Sequence, residues 1–231
     1  MRLVVLAAVL ALGAGAAGSS AARDTRGCAW GAIAAGNACL IEGHACEAQH
    51  TALYRRHGFA CRAGILAYDW SQLRRRALAI PSLTPGAACP VSARSGTLAM
   101  FGLAPFPAWG GGPAYPAFDP PHADIRQAFQ FGPEPEYKEW GIEKVMWAVD
   151  KRYVGPVLVR GHQLDGPNEL RFENGSPGFT PEQTLHPATE LRIVGGYVHP
   201  AVTRARQAGC YAYQADGIGF SRTIVFTIAA G

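Results

Sequence analysis

The chain has 231 residues, 48% of them hydrophobic and 16% charged, and its formal net charge at pH 7 is +4. This length is sufficient for one large domain or two small ones. The positive charge is too weak and too dispersed for a nucleic-acid-binding protein, so we expect no nucleic-acid partner. The densest basic cluster is Arg74, Arg75 and Arg76, which we interpret as a solvated linker or helix face.

Residues 1–22 have the pattern of a secretory signal. Arg2 precedes an apolar run over residues 3–18, and small residues suited to cleavage follow it. The apolar run is shorter than the ~20 residues that cross a bilayer. We therefore expect a secreted or periplasmic protein with no membrane span after signal cleavage. The excess of arginine over lysine and the many alanines are typical of GC-rich bacterial coding.

Six cysteines follow the signal, and an even number in an exported chain favours disulfides. Four of them lie in residues 28–70, which we interpret as a small α+β module: Cys28, Cys39, Cys46 and Cys61. A module of this size buries little core, so we expect two disulfides among these four cysteines. The sequence leaves all three pairings open.

Within this module, residues 45–57 are rich in helix formers and carry basic residues in the last turn. Gly58 follows at the position where a glycine ends a helix. One or two short strands around Ala63 and Gly64 are predicted after it.

A metal site is the competing interpretation of this module. Its candidate ligands are Cys39, His44, Cys46, His50, His57 and Cys61. Cys46 and His50 are four residues apart and would share a helix face, and zinc accepts such ligands. The spacing matches no common zinc pattern, and export favours cysteine oxidation. We therefore expect disulfides, with no metal and no cofactor.

The next two stretches are rich in proline. Residues 71–88 are interpreted as a linker, with a helical turn within residues 71–80 before Pro81. Residues 101–140 combine many prolines and aromatics, which predicts long ordered loops on a β core. Within them, only residues 122–129 have a pattern that favours a helical turn.

From residue 143 onwards, short runs alternate between apolar and polar residues. In "EKVMWAV", Val145, Trp147 and Val149 share one face, and "GPVLVRG", "NELRF", "ELRIVGGYV", "GCYAYQA" and "FSRTIVFTI" continue the series. Turn residues such as those of "LDGPN" and "ADGIG" separate the runs. The pattern predicts an antiparallel sandwich or barrel.

The segments "VMWAVDKRYVGPVLVRGHQLDGPNELRF" and "AGCYAYQADGIGFSRTIVF", together with "CPV" at Cys89, resemble a group of exported bacterial β-sandwich proteins. The resemblance covers about residues 88–229 and implies an immunoglobulin-like sandwich over residues 89–231, in a group mostly without assigned activity. It also implies a Cys89–Cys210 disulfide and places Trp147 in the core.

Catalytic patterns are weak. "GIGFSRT" is not a nucleophile elbow, so Ser221 is expected to face solvent on a strand. A glycosidase needs two carboxylates across a cleft, for which the candidates are Glu134, Glu136, Glu139, Glu143, Asp150 and Asp165. Asp165 has a ready structural role in the turn "LDGPN".

Aromatic residues of the loops are the remaining candidates for ligand binding, because aromatic faces give a large contact area at low entropic cost. They are Trp109, Tyr115, Phe118, Tyr137 and Trp140. The alternative role for these rings is to cover a sheet or fill the space between the two regions.

The sequence therefore predicts an exported, non-catalytic binding or surface-interaction protein, whose partner is a carbohydrate or another exported protein. The alternatives are a secreted hydrolase with carboxylates from residues 134–150, and an inhibitor or envelope structural protein that uses the cysteine module as its contact.

Overall fold

In a computed structural model, the described residues are 33–35, 38–101, 105–118, 126–129, 140–174, 187–194 and 198–230. The signal interpreted in residues 1–22 and five other candidates lie outside them: Cys28, Glu134, Glu136, Tyr137 and Glu139. The described part of the chain is mainly β with antiparallel sheets, which confirms that part of the prediction. None of its helices is long and apolar enough to cross a membrane.

The N-terminal module is built from short elements. They are β1 (Ile33–Ala35), β2 (Ala38–Leu40), a 3-10 turn (Ala48–His50), α1 (Thr51–Arg56), β3 (Phe59–Arg62), β4 (Ile65–Tyr68) and α2 (Trp70–Arg74). The helix expected in residues 45–57 forms over α1, and Gly58 follows it with a φ of 81°. The predicted strands form the β3–β4 hairpin, which turns at Ala63 and Gly64 with φ of 48° and 80°.

A small core and disulfides hold the module together. Phe59 and Tyr68 lie opposite each other in the hairpin, and their rings stack with centroids 4.7 Å apart. Buried Ala35, Leu40, Tyr54 and Leu66 complete this core. A disulfide joins Cys46 to Cys61 with their Cα atoms 5.7 Å apart, and Cys39 is also disulfide-bonded. The covalent links supplement a core too small to stabilise the module alone.

The regular elements in the rest of the described chain are eleven strands and a 3-10 turn at Leu98–Phe101. The strands are β5 (Arg94–Thr97), β6 (Pro107–Trp109), β7 (Ala114–Phe118), β8 (Arg126–Phe129), β9 (Gly141–Val149), β10 (Val157–Gln163), β11 (Arg171–Asn174), β12 (Leu191–Ile193), β13 (Val198–Ala205), β14 (Gly209–Gly217) and β15 (Phe220–Ala230).

Nine of these strands form two sheets. The five-stranded sheet has the order β12-β10-β14-β15-β8, and the four-stranded sheet has the order β11-β13-β9-β7. Every pairing in them is antiparallel except that of β8 with β15. β5 and β6 form a separate two-stranded sheet with a register shift at Arg94 and Gly96.

A shared core lies between the two sheets. The alternating face of β9 points into it, where Trp147 contacts Tyr213 of β14 edge to face, with ring centroids 5.2 Å apart. Phe118 of β7 and Phe226 of β15 meet at 5.7 Å. The burial of Val145, Trp147 and Val149 follows the period-2 pattern of the sequence, because successive side chains of a strand point to opposite faces.

The expectation of a helical turn in residues 122–129 is wrong over Arg126–Phe129, which form strand β8. These four residues pair in parallel with the last four residues of β15, Thr227 to Ala230. The long-range pairing with β15 overrides the weak local helix propensity.

Residues 77–92, which we call the strap, run across the outer face of the five-stranded sheet. The Leu83 N–H donates to the Leu164 carbonyl at 2.6 Å, and Ser92 exchanges two 2.9 Å hydrogen bonds with Val225. The Cys89–Cys210 disulfide implied by the resemblance fastens the strap to β14, with the Cα atoms 5.5 Å apart. Most of the predicted linker is therefore an ordered covering layer of the sheet.

Candidate functional site

Two of the five aromatic residues proposed as a ligand platform lie in the core. Trp109 and Phe118 are 6% and 4% exposed and belong to the core between the sheets. Half-buried Tyr115 packs against the cluster that contains Leu98 and Ala108. Tyr137 lies outside the described residues. Trp109 and Phe118 therefore serve the core, because their strands turn the two rings between the sheets.

Trp140 lies immediately before β9 and keeps part of its ring exposed. The guanidinium of Arg206 lies 4.3 Å from the ring centroid, and that of Arg171 lies 5.9 Å from it. Two arginines thus already contact the indole, in positions that give cation–π attraction. The ring is therefore less accessible to a stacking ligand than the sequence implied.

Two carboxylates of the hydrolase alternative, Asp150 and Asp165, have structural partners. Asp150 forms an ion pair with Arg152, whose hydrogen bonds hold the pKa of Asp150 below its usual value. Asp165 accepts the Cys210 N–H at 3.2 Å and so joins the turn after β10 to β14. Ser221 is exposed on β15, as expected.

The cysteines proposed as metal ligands are oxidised. The sulfurs of Cys39, Cys46 and Cys61 are in disulfides and so cannot act as thiolate ligands. Within the part of the chain that the structure describes, no group of three or more potential ligands could hold a metal ion.

A pocket opens on the surface of the N-terminal module. Its volume is about 410 Å³, and its lining residues are Cys39, Leu40, His44, Ala45, His50, Leu53, Tyr54 and Leu66. We call it the module pocket. Ligand sites of small molecules are typically about 300–1,000 Å³, largely apolar and edged by a few polar groups. The module pocket has these properties, at the small end of that range.

Three elements build the floor of the module pocket. Leu40 comes from β2 and Leu66 from β4, and both are 3% exposed. Leu53 and Tyr54 come from α1. His50, Leu53 and Tyr54 are spaced i, i+3 and i+4, so one side of the 3-10 turn and of α1 faces the pocket.

Polar groups are concentrated at the rim of the module pocket. His44 and His50 are exposed, and the His50 ring meets the Tyr54 ring edge to face at 6.2 Å. The carboxylate of Glu47 lies 3.5 Å from the Nε2 of His50. The Glu47 N–H donates to the Tyr54 hydroxyl at 3.2 Å. The pocket therefore combines an apolar floor with imidazole and phenol groups at its edge.

The sequence indicates His44 and His50, but as candidate metal ligands. Leu40, Leu53 and Leu66 were not predicted to line a site, because leucines in a small module are expected to form its core. The available signal was the spacing of His50, Leu53 and Tyr54, which predicts one mixed face on a helix.

An ion pair, a hydrogen bond and a cation–π contact hold the end of the module beside the five-stranded sheet. Arg74 of α2 forms a bidentate pair with Glu190, and its hydrogen bonds lower the pKa of that carboxyl. Arg76 donates to the Gly217 carbonyl at 2.8 Å. The Arg192 guanidinium lies 5.6 Å from the ring centroid of Trp70. These contacts give the module pocket a defined orientation relative to the sheets.

Comparison of the chain with protein-family models gave no match, and comparison with curated proteins gave no significant match.

Proposed function

We propose that this protein is an exported, non-catalytic binding protein that holds its ligand in the module pocket. The observation that carries the proposal is the pocket itself, a cavity of about 410 Å³ with an apolar floor and a polar rim. Asp150 and Asp165 have structural partners and Ser221 lies exposed on a strand, which favours binding over hydrolysis. The ligand is a group on a carbohydrate or on another exported protein, the two partner classes that the sequence predicts.

We propose an immunoglobulin-like sandwich as the scaffold. Immunoglobulin domains of the constant type have one sheet ordered ABED and another ordered CFG. The order β7-β9-β13-β11 matches ABED, and β10-β14-β15 matches CFG, with β12 beside β10 as an added strand. These matches and the resemblance in sequence support the assignment.

Two features depart from the immunoglobulin pattern. β11 precedes β12 along the chain, whereas strand D follows the added C′ strand in variable domains. Cys210 on β14 bonds to the strap instead of bridging the two sheets, and Trp147 lies on β9 rather than on the equivalent of strand C. The chain would therefore be a variant of the fold.

Export is supported by the signal pattern of residues 1–22 and by the disulfides Cys46–Cys61 and Cys89–Cys210. Disulfides persist in oxidising compartments such as the periplasm and the extracellular space. The proposed location is accordingly the bacterial envelope or its surroundings.

A glycan and peptide array probed with three purified forms of the protein tests this function. Ala45 is exposed and lines the module pocket, so Ala45→Trp fills it; Ala52 is exposed on α1 and does not line it. We expect the wild type and Ala52→Trp to bind the same array members, and Ala45→Trp to lose them. Equal binding by Ala45→Trp, or no bound member for the wild type, would overturn the proposed function.

A further inference from the structure

The groups that line the module pocket differ in one respect from those around it: none of them is a carboxylate. Its polar side chains are His44, His50 and Tyr54. An imidazole donates from one nitrogen when neutral and from both when protonated, and a phenol donates its O–H. A cationic ligand meets no anion in this lining, whereas an anionic ligand meets several donors.

Tyr54 lines the module pocket and brings a phenol hydroxyl to it. It already accepts the Glu47 N–H at 3.2 Å, which occupies its oxygen. Its own proton has no acceptor among the described residues. A phenol hydroxyl that already accepts one hydrogen bond can still donate its proton to an oxygen acceptor of a ligand, and hydrogen bonds to charged acceptors are stronger than those to neutral ones.

Glu47 stands at the rim, outside the lining, and its carboxylate is engaged. It accepts a hydrogen bond from Gln49 and lies 3.5 Å from the Nε2 of His50. A ligand with its own carboxylate would compete with the Glu47 carboxylate for His50. The Glu47 carboxylate would also repel that ligand. The position of Glu47 therefore provides a direct test of ligand charge.

We infer that the module pocket receives an apolar group that ends in a carboxylate. The apolar part lies on Leu40, Leu53 and Leu66, and the carboxylate accepts hydrogen bonds from Tyr54 and the two histidines. Of the proposed partners, an exported protein offers this group at a C-terminus with an apolar last residue, and a free organic acid that shares the chemistry serves as its probe. The inference rests on the proposed function, since it assigns the ligand class of the same pocket.

Isothermal titration calorimetry with three probes of one apolar body tests the inference on the purified protein. The probes are 4-phenylbutyrate, its primary amide and 4-phenylbutylamine. We expect the carboxylate to bind at least about tenfold more tightly than the amide, as a charge-assisted hydrogen bond implies. The amine should bind most weakly. An apolar-ended peptide with a free or an amidated C-terminus then distinguishes the peptide source from the free acid.

Two rim variants sharpen the test. Glu47→Gln removes the competing anion, so the affinity for 4-phenylbutyrate should rise several-fold and that for 4-phenylbutylamine should fall. His50→Gln should weaken the carboxylate more than the amide. Glu169→Gln, an exposed carboxylate of the sheet region, is the control and should change none of these affinities.

The outcomes separate the two proposals. Tighter binding of the amine, or weaker binding of the carboxylate by Glu47→Gln, overturns the carboxylate inference and leaves the module pocket as a binding site. If no probe binds while array ligands are still lost in Ala45→Trp, the inference fails alone. If array binding is also unaffected by Ala45→Trp, the proposed function fails with it.

Discussion

Asp216 is a buried carboxylate at which several polar side chains meet. It is fully buried on the outer face of β14, where Arg160 donates to it at 2.8 Å and Arg76 lies 3.8 Å away. The Gln214 amide donates to Asp216 at 2.9 Å and to the Ala77 carbonyl of the strap at the same distance. One carboxylate therefore compensates two arginines and lies beside the start of the strap.

Replacing Asp216 by asparagine should destabilise the protein by about 3 kcal/mol, because removing one partner of a buried ion pair leaves the other charge uncompensated. Arg160 is only 18% exposed in its side chain, so water replaces the lost contact poorly. The measurement is the free energy of unfolding from urea titration.

Glu169→Gln provides the matched control for Asp216→Asn. Glu169 pairs with Arg171 at the surface, where its side chain is 47% exposed. Exposed pairs contribute about 0–1 kcal/mol, so this variant should unfold close to the wild type. Equal losses in the two variants would show that burial does not set the contribution of Asp216.

Among the elements, the strap shows how an irregular segment becomes part of a fold. Ile80, Leu83 and Cys89 pack on an outward cluster of the five-stranded sheet that includes Leu164 and Val225. Backbone hydrogen bonds at Leu83 and Ser92 replace the regular ladder of a strand. The Cys89–Cys210 disulfide then links the strap to β14 across 121 residues of sequence.

The double variant Cys89→Ser, Cys210→Ser should lose about 4–5 kcal/mol in unfolding free energy, since the disulfide constrains a long loop of the unfolded chain. The strap should also become sensitive to thermolysin near Leu83, which the wild type protects by packing. Urea titration and digestion followed by mass spectrometry measure the two effects.

The pair Cys46→Ser, Cys61→Ser is the control for the strap variant. These cysteines are separated by 15 residues, and a loop of that length contributes about 3 kcal/mol. The loss of stability should be confined to the module, and the strap should stay protected from thermolysin near Leu83. Protection of Leu83 in the Cys89, Cys210 variant would contradict the role of the disulfide in holding the strap.

The elements also show what the sequence can predict. The faces of β9, β14 and β15 follow from alternation, since core residues repeat every second position in each strand: Val145 and Trp147, Tyr211 and Tyr213, and Ile224 and Phe226. Strand β8 does not, because its pairing with β15 joins residues about 100 positions apart. Whether Trp109 faces a ligand or the core likewise depends on such distant contacts. The module pocket also could not be predicted from local pattern, because it forms only where β2, α1 and β4 come together.

At the scale of the whole molecule, the module and the sheets meet where α1 ends. A side chain at Gly58 would place its Cβ 2.9 Å from the Pro156 ring and 3.0 Å from Ile218. The Asp69 N–H donates to the Gly58 carbonyl at 2.7 Å, which holds α2 against the same point. Gly58 therefore serves two purposes, since it ends α1 and also permits close contact with the sheets.

Gly58→Ala should separate these purposes when it is compared with Gly64→Ala. Both glycines have positive φ, 81° and 80°, so alanine costs each about 1 kcal/mol of backbone strain. Gly64 has nothing within 4 Å of its Cβ position, whereas Gly58 would clash with Pro156. We expect Gly58→Ala to lose a further ~1–3 kcal/mol, as overpacked sites do. It should also expose the backbone around Arg74 and Arg76 to trypsin, because the module would no longer dock fully. Urea titration and timed tryptic digestion of the two variants measure these effects, and identical behaviour would mean that Gly58 acts only as the end of α1.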